Sequence, residues 1–350
     1  ITSNSDFNQK TDYSKTYRSV IHSSRSYVAR LGDHDGLYAG FINVPDFTGR
    51  DALIDTGINQ HIQVITVDGD TDITAPQDNV YYYDPNFKTG ITLYVTTTRN
   101  NFYSGDAVDI VSQIVEAEMG DIYAVEALKA QAVAAFTYVV YHGGLKPNSK
   151  AIAPMKDASL LVKAVTQSVI GEIMYYNNEP INAVYSAIHA DYSADAEHIW
   201  GSKIPYLIPV PSPYDYEGAN YKQTVIKSEA EIAAYVSRKH KVDLYSVDDR
   251  NSWIKLTHDE NDRFVKSLNY GGLTKNMRAD GEYHSLGLRS PAFHVQYNSE
   301  KKEFIFTNIG WGHGCGMSQV GANGYAKRGW NYKQILAHYY PGITFYKYTV

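Results

Sequence analysis

One cysteine in 350 residues, Cys315, leaves no internal disulfide and no multi-cysteine zinc site. No apolar run reaches the ~18 residues that a membrane crossing needs. There is no surplus of positive charge either: 32 Lys and Arg stand against 38 Asp and Glu, for a net charge of −6. Nucleic acids select basic surfaces, so this balance argues against them as partners. A long anionic polymer fits only where a local basic groove exists. Tryptophan and phenylalanine are scarce, at 4 and 11, beside 31 tyrosines. A tyrosine has a flat apolar face and a polar tip, which serves half-buried strands as well as carbohydrate stacking. The remaining composition is that of a soluble globular protein of one large or two ordinary domains. The first residue is Ile1 rather than Met, which reads as a mature form from which an N-terminal signal or anchor was removed.

Residues 1–35 form a polar lead-in rich in Ser, Asn and Asp. A β-rich segment over 36–90 follows, with strand-like runs at Phe41–Val44, His61–Val67 and Val80–Tyr83 and a further one at Ile91–Val95 just beyond it, punctuated by Asp68-Gly69 and Thr89-Gly90. Residues 91–350 read as the main domain. Ala124–Tyr141 lacks Gly and Pro, is rich in alanine, and places Val125, Leu128, Ala132, Ala135 and Val139 at helical spacing. That predicts a central, buried helix ended by Gly143-Gly144. Ser228 with Glu231, and Asn331 with Gln334, are capping-box patterns opening two further helices. Strand-like runs flank Asn298-Ser299. The expected fold is α+β, with mixed sheets, a central buried helix, long irregular loops and two subdomains flanking a substrate groove.

Glycine occupies every second position from Gly310 to Gly316. As a strand, this run has one bare face and one face carrying Trp311, His313, Cys315 and Met317. A bare face is kept where a backbone or ligand comes close, and a flat sugar ring fits one. Upstream, Glu118 follows the apolar run Ile110, Val111, Ile114 and Val115 and precedes the central helix. Partial desolvation there suits a general acid. The plainer alternative is that Glu118 stabilises a helix N-terminus.

Glu118-Met119 with Glu126–Ala135, and Gly312–Gln319 with Gly321-Ala322, Ala326-Lys327 and His338–Gly342, resemble the two signatures of the stage II sporulation protein D/LytB domain family. Tyr185-Ser186, Ile199-Trp200-Gly201, Pro205-Tyr206-Leu207 and Gly287–Ser290 fall between them in the expected order. The resemblance covers about residues 90–350. It implies a peptidoglycan lytic transglycosylase that uses Glu118 as its one catalytic acid and base and needs no cofactor. The muramic acid's own C6 hydroxyl attacks C1 and leaves a 1,6-anhydro product, so the second carboxylate of ordinary glycosidases is dispensable. The implied partners are glycan strands and a cell-wall amidase. The implied setting is the cell envelope, reached by secretion or through the removed anchor.

Substrate-binding candidates are Lys129, Tyr185, Ser186, His189, His313, Ser318 and Gln319. Three have a structural second reading: Lys129 pairs with Glu126, Ser318 caps a helix, and His313 is structural; Gln319 is the candidate to hydrogen-bond an acetamido group. The chain departs from the family in carrying Phe136 where Arg is usual. It also has a bulkier Ala187–Ser193 stretch where small residues are usual. The family's Cys/His metal site lacks its cysteines here, so no structural zinc is expected. A metal-dependent hydrolase on His189, His198 and His313, and a glycan-binding module without catalysis, are the rival readings.

Overall fold

The computed structural model describes residues 26–33, 36–43, 52–55, 62–66, 80–277 and 281–348. Residues 1–25 of the polar lead-in and the Asp68-Gly69 turn lie outside them. The rest of the lead-in carries a strand, Ser26–Asp33, paired antiparallel with Gly36–Asn43. The chain forms two compact units: residues 1–182 with 344–350, and residues 183–343. Helices and several small sheets make both, as an α+β chain requires. Among the described residues no helix is long and apolar enough to cross a membrane.

The first unit is built on three helices, α1 (Ala107–Glu118), α2 (Val125–Tyr141) and α3 (Leu160–Val169). Asp106 opens α1 by accepting the Val108 N–H, while its other carboxylate oxygen takes the Thr89 N–H and hydroxyl. The run Ile110, Val111, Ile114 and Val115 is therefore one buried face of a helix. Helix α2 is buried nearly all round, with Ala127, Leu128, Ala130, Ala134 and Phe136 inaccessible. Its small side chains let neighbours come close. Thr137 donates back to the Val133 carbonyl and accepts the Met174 N–H, tying α2 to the strand Glu172–Tyr176. That strand is the middle of three, between Thr344–Lys347 and Glu179–Pro180.

The second unit holds two three-stranded antiparallel sheets. Glu303–Ile309 lies between Lys222–Ser228 and Phe293–Asn298, and Val265–Tyr270 lies between Ile254–His258 and Leu273–Asn276. Trp253, Tyr270, Phe293, Phe304 and Phe306 fill their shared core. The helix Glu229–His240 opens with the expected Ser228/Glu231 capping box, and Tyr332–Tyr339 opens with that of Asn331 and Gln334.

Beside this core the fully buried Glu282 accepts from Tyr235 Oη at 2.6 Å, Lys239 Nζ at 2.7 Å and Tyr270 Oη at 3.1 Å, with His240 Nε2 at 3.2 Å. Burial opposes its ionisation, but Lys239, Tyr235 and His240 together hold the carboxyl below its ordinary value. Glu282→Gln leaves an ammonium without its counter-charge, and is expected to cost about 3 kcal/mol. Denaturant unfolding followed by Trp253 fluorescence reads this directly; an unchanged midpoint contradicts it.

Candidate functional site

Glu118 is the last residue of α1, followed by Met119 as C-cap and Gly120 at φ +70°. It closes α1, seven residues before Val125 opens α2. The C-terminal end of a helix carries partial negative charge, so the ionised carboxylate gains nothing from it. Two carboxylates occur in Glu-Ala-Glu, and the structure separates their environments. Glu116 is buried and accepts from Lys156 Nζ at 3.0 Å and the Ser159 N–H at 3.2 Å, which anchors that loop to α1. Glu118 is half-buried.

Tyr138 on α2 lies near enough to feel it. Burial chiefly, and the Glu118 charge to a lesser degree, push the Tyr138 phenol up. The Tyr138 ring rests on His142, one helical turn on, with centroids 4.3 Å apart. His142 Nε2 lies 3.1 Å from Asn182 Oδ1, and burial lowers the imidazole's proton affinity. Sequence reasoning passed over this Tyr138–His142–Asn182 line. Its only signal is the i, i+4 spacing of two polar aromatics on an otherwise apolar helix. Lys129 is paired with Glu126 at 2.6 Å and sits over the Tyr81 ring. Phe136 is fully buried, edge-on to Tyr348 at 6.2 Å.

In the second unit the glycine run is not the expected strand. Gly310, Gly312, Gly314 and Gly316 have φ of +82°, +103°, +83° and +72°, all outside the β region. The bare side is also covered. A Cβ at Gly310 would stand 2.7 Å from the Ile188 carbonyl oxygen, at Gly312 2.7 Å from Ser186 Cβ, and at Gly316 1.9 Å from the Val184 carbonyl oxygen. At Gly310, Gly312 and Gly316 the close approach is therefore to the chain's own 184–189 segment, while Gly314 backs onto the Phe264 ring. Trp311 and Ile188 exchange backbone hydrogen bonds, and Tyr185-Ser186 pairs in parallel with Met317-Ser318.

Most of the candidate residues here lie inside this seam. Ser186 Oγ accepts the Gly314 N–H and faces His189 Nε2 at 3.1 Å. His189 is 1% exposed, and burial, aided by His313, lowers it to about 3. Its Nδ1 is buried without a hydrogen-bond partner, so no carboxylate orients it and Ser186–His189 is not a triad. Asp215 Oδ1 instead accepts the His189 backbone N–H and the Ser318 hydroxyl. Ser318 caps the helix Gln319–Ala326 by accepting the Gly321 N–H. Gln319 is buried, whereas Tyr185 and His313 are half-buried. His313 Nδ1 accepts the Cys315 N–H, and burial pushes its imidazole down to about 4. The Cys315 thiol is inaccessible and pushed up by burial, hence inert.

His189, Asp191 and His198 do not form a metal-ligand set among the described residues, nor do His189, His198 and His313. Asp191 is engaged by Tyr221 Oη and Arg263. What this region shows to solvent is aromatic. Trp311 is 43% exposed with the Arg289 guanidinium 4.5 Å over its ring, and Trp200 is 38% exposed with its ring 5.0 Å from His313.

The Stage II sporulation protein family model (SpoIID) matches residues 101–189, from just before the strand Phe102–Asp106 that leads into α1 through His189. Stage II sporulation protein D of Bacillus subtilis is 32% identical over 259 residues, covering 67% of this chain and 72% of that protein. Its counterpart in Bacillus amyloliquefaciens is 31% identical over 260 residues, with the same two shares of 67% and 72%. The Amidase enhancer of Bacillus subtilis is 28% identical over 283 residues, which cover 67% of this chain and 40% of that protein. With its two signatures in order and a relative of this identity matched over nearly three quarters of its length, the chain belongs to the stage II sporulation protein D family.

Proposed function

We infer that the protein cleaves the glycan strands of peptidoglycan at the cell envelope as a lytic transglycosylase, in the service of sporulation. The observation that carries this reading is the division of labour within Glu-Ala-Glu. Glu116 is buried and engaged by Lys156 and Ser159, while Glu118, two residues on at the end of α1, is half-buried. Glu118 protonates the oxygen bridging MurNAc to GlcNAc as the C1–O bond breaks. It then takes the proton of the C6 hydroxyl as O6 bonds to C1, which closes the 1,6-anhydro ring without water. One carboxyl thus serves as acid and then base. Family membership and the similarity to the Amidase enhancer support a cell-wall role. In this reading Ser186, His189, Ser318 and Gln319 act from inside the seam by fixing its backbone. Lys129, Tyr185 and His313 are the candidates for sugar contact, and the exposed Trp200 and Trp311 offer flat faces for stacking.

Glu118→Gln keeps shape and removes the proton. Wild type incubated with purified glycan strands is expected to release anhydro-muropeptides by mass spectrometry, and the variant at least about 100-fold fewer. A second reading, a glycan-binding enhancer of a partner amidase, is favoured by Phe136, whose ring fills an apolar position where the family usually has Arg. No anhydro product from either protein, with both still sedimenting with glycan, selects that reading.

A further inference from the structure

We propose that His258, Asp262 and His294 form a binding site for a divalent transition-metal ion of the zinc class, separate from the glycan chemistry. Among the described residues this is the group of three in which His, Cys or carboxylate donor atoms all lie within 4.8 Å of one another. His258 ends the strand Ile254–His258, and the register of that strand against Val265–Tyr270 slips between Thr257 and His258. Such a bulge re-aims the side chain that follows it. Here the imidazole is turned toward the neighbouring strand Phe293–Asn298, where the His294 ring lies 4.6 Å from it.

The hydrogen bonding of His258 points to a ligand. Its Nε2 lies 2.9 Å from the Phe293 carbonyl oxygen, which can only accept, so Nε2 carries the proton. Nδ1 is the nitrogen left for a further ligand, and it faces Asp262 Oδ1 at 3.3 Å. Two acceptors so placed repel unless a proton or a metal ion sits between them, and the same geometry serves either. A backbone carbonyl behind one nitrogen and an open lone pair in front is how proteins orient metal-binding histidines. Donors about 2.0–2.1 Å from a tetrahedral zinc stand about 3.3 Å apart, the separation these two already have. A turn of the half-buried His294 ring brings the third donor in. Asp262 holds a left-handed backbone at φ +54° and its carboxylate is 78% exposed, so it is free to adjust.

Arg263, whose charge reaches His294, is itself partly neutralised by its ion pair with Asp191 at 3.1 Å. Two imidazoles and one carboxylate suit zinc or cobalt rather than magnesium, which prefers oxygen. Three protein ligands leave one position open to water or an incoming ligand. The lack of the family site's cysteines pointed away from structural zinc, but this set needs none.

The test is isothermal titration and equilibrium dialysis of the whole chain with Zn²⁺, Mg²⁺ in parallel, and Co²⁺ as a spectroscopic probe. One Zn²⁺ per chain, no Mg²⁺ at the same concentration, and visible tetrahedral Co²⁺ bands are expected. His294→Gln should weaken Zn²⁺ at least tenfold and abolish the bands. Asp262→Asn, at a side chain 78% exposed, should weaken Zn²⁺ about tenfold with an unchanged melting temperature in the absence of metal. No Zn²⁺ bound by wild type, or equal binding by wild type and both variants, overturns the site.

Discussion

Gly316→Ala is expected to cost at least about 5 kcal/mol and to unfold the second unit near room temperature. Two effects add. At φ +72° the left-handed conformation alone costs an L-residue about 1–2 kcal/mol. Steric overlap costs more, because the new Cβ would lie 1.9 Å from the Val184 carbonyl oxygen, a backbone atom that cannot rotate away. Moving that carbonyl breaks the Tyr340 hydroxyl bond at 2.7 Å and the Met317 N–H bond at 3.3 Å that both end on it. It also strips the parallel pairing of Tyr185 with Met317. Gly287→Ala is the internal control. Gly287 has a similar φ of +80° but nothing within 4 Å of the added carbon, so it should suffer only the conformational penalty. Denaturant melts of the three proteins test the pair; two equal losses would mean that close packing of the glycine run contributes nothing.

Acidification should separate wild type from Asp215→Asn by about 3 kcal/mol between pH 7.5 and 4.5, at about 1.4 kcal/mol for each pH unit inside the titration window. Burial lifts the Asp215 carboxyl from 3.8 to about 7, against the opposing bonds from Ser212, Ser318 and His189. A carboxyl raised in the native state binds its proton more tightly there than in the unfolded chain. Its stabilising contribution is complete below 3.8 and is lost as pH rises through about 7. The amide variant keeps an acceptor for the His189 N–H but binds no proton, so it lacks this contribution.

Two neighbours act the other way. His189 and His313 are lowered to about 3 and about 4, and their contributions are present above the ordinary histidine value of 6.5 and lost as pH falls. Wild type thus carries a carboxyl that offsets part of the acid lability of its buried histidines. The variant should lose stability more steeply on the acid side. Chemical denaturation of both proteins at the two pH values reads the difference directly, and parallel losses would place Asp215 near its ordinary value.

Local signals in the sequence were faithful. Ala124–Tyr141 is a buried helix because alanine and apolar periodicity need no distant partner to be read. The Ser228/Glu231 and Asn331/Gln334 caps are satisfied within three residues, and the strands around Asn298-Ser299 turn back on each other. The glycine run misled because alternation is shared by a strand and by a chain that turns left-handed at every second residue. What separates them is Val184–His189, more than 120 residues upstream, whose approach to the run local pattern does not record. The same distance hid that Ser186, His189 and Ser318 are inside the seam. The His258, Asp262 and His294 set escaped notice because a register slip and strand neighbours, not sequence spacing, bring it together.

The strand Thr344–Lys347 belongs to the first unit, yet its partner Glu172–Tyr176 leaves the ribosome roughly 170 residues earlier. At about 5–20 residues per second, that edge waits on the order of 10–30 s for its neighbour. The second unit, continuous from 183 to 343, is synthesised whole within this interval and is able to mature first. During biosynthesis the earlier-made half is therefore the later one to close, with an open strand edge on the growing chain that favours guarding by a chaperone until Thr344–Lys347 emerges.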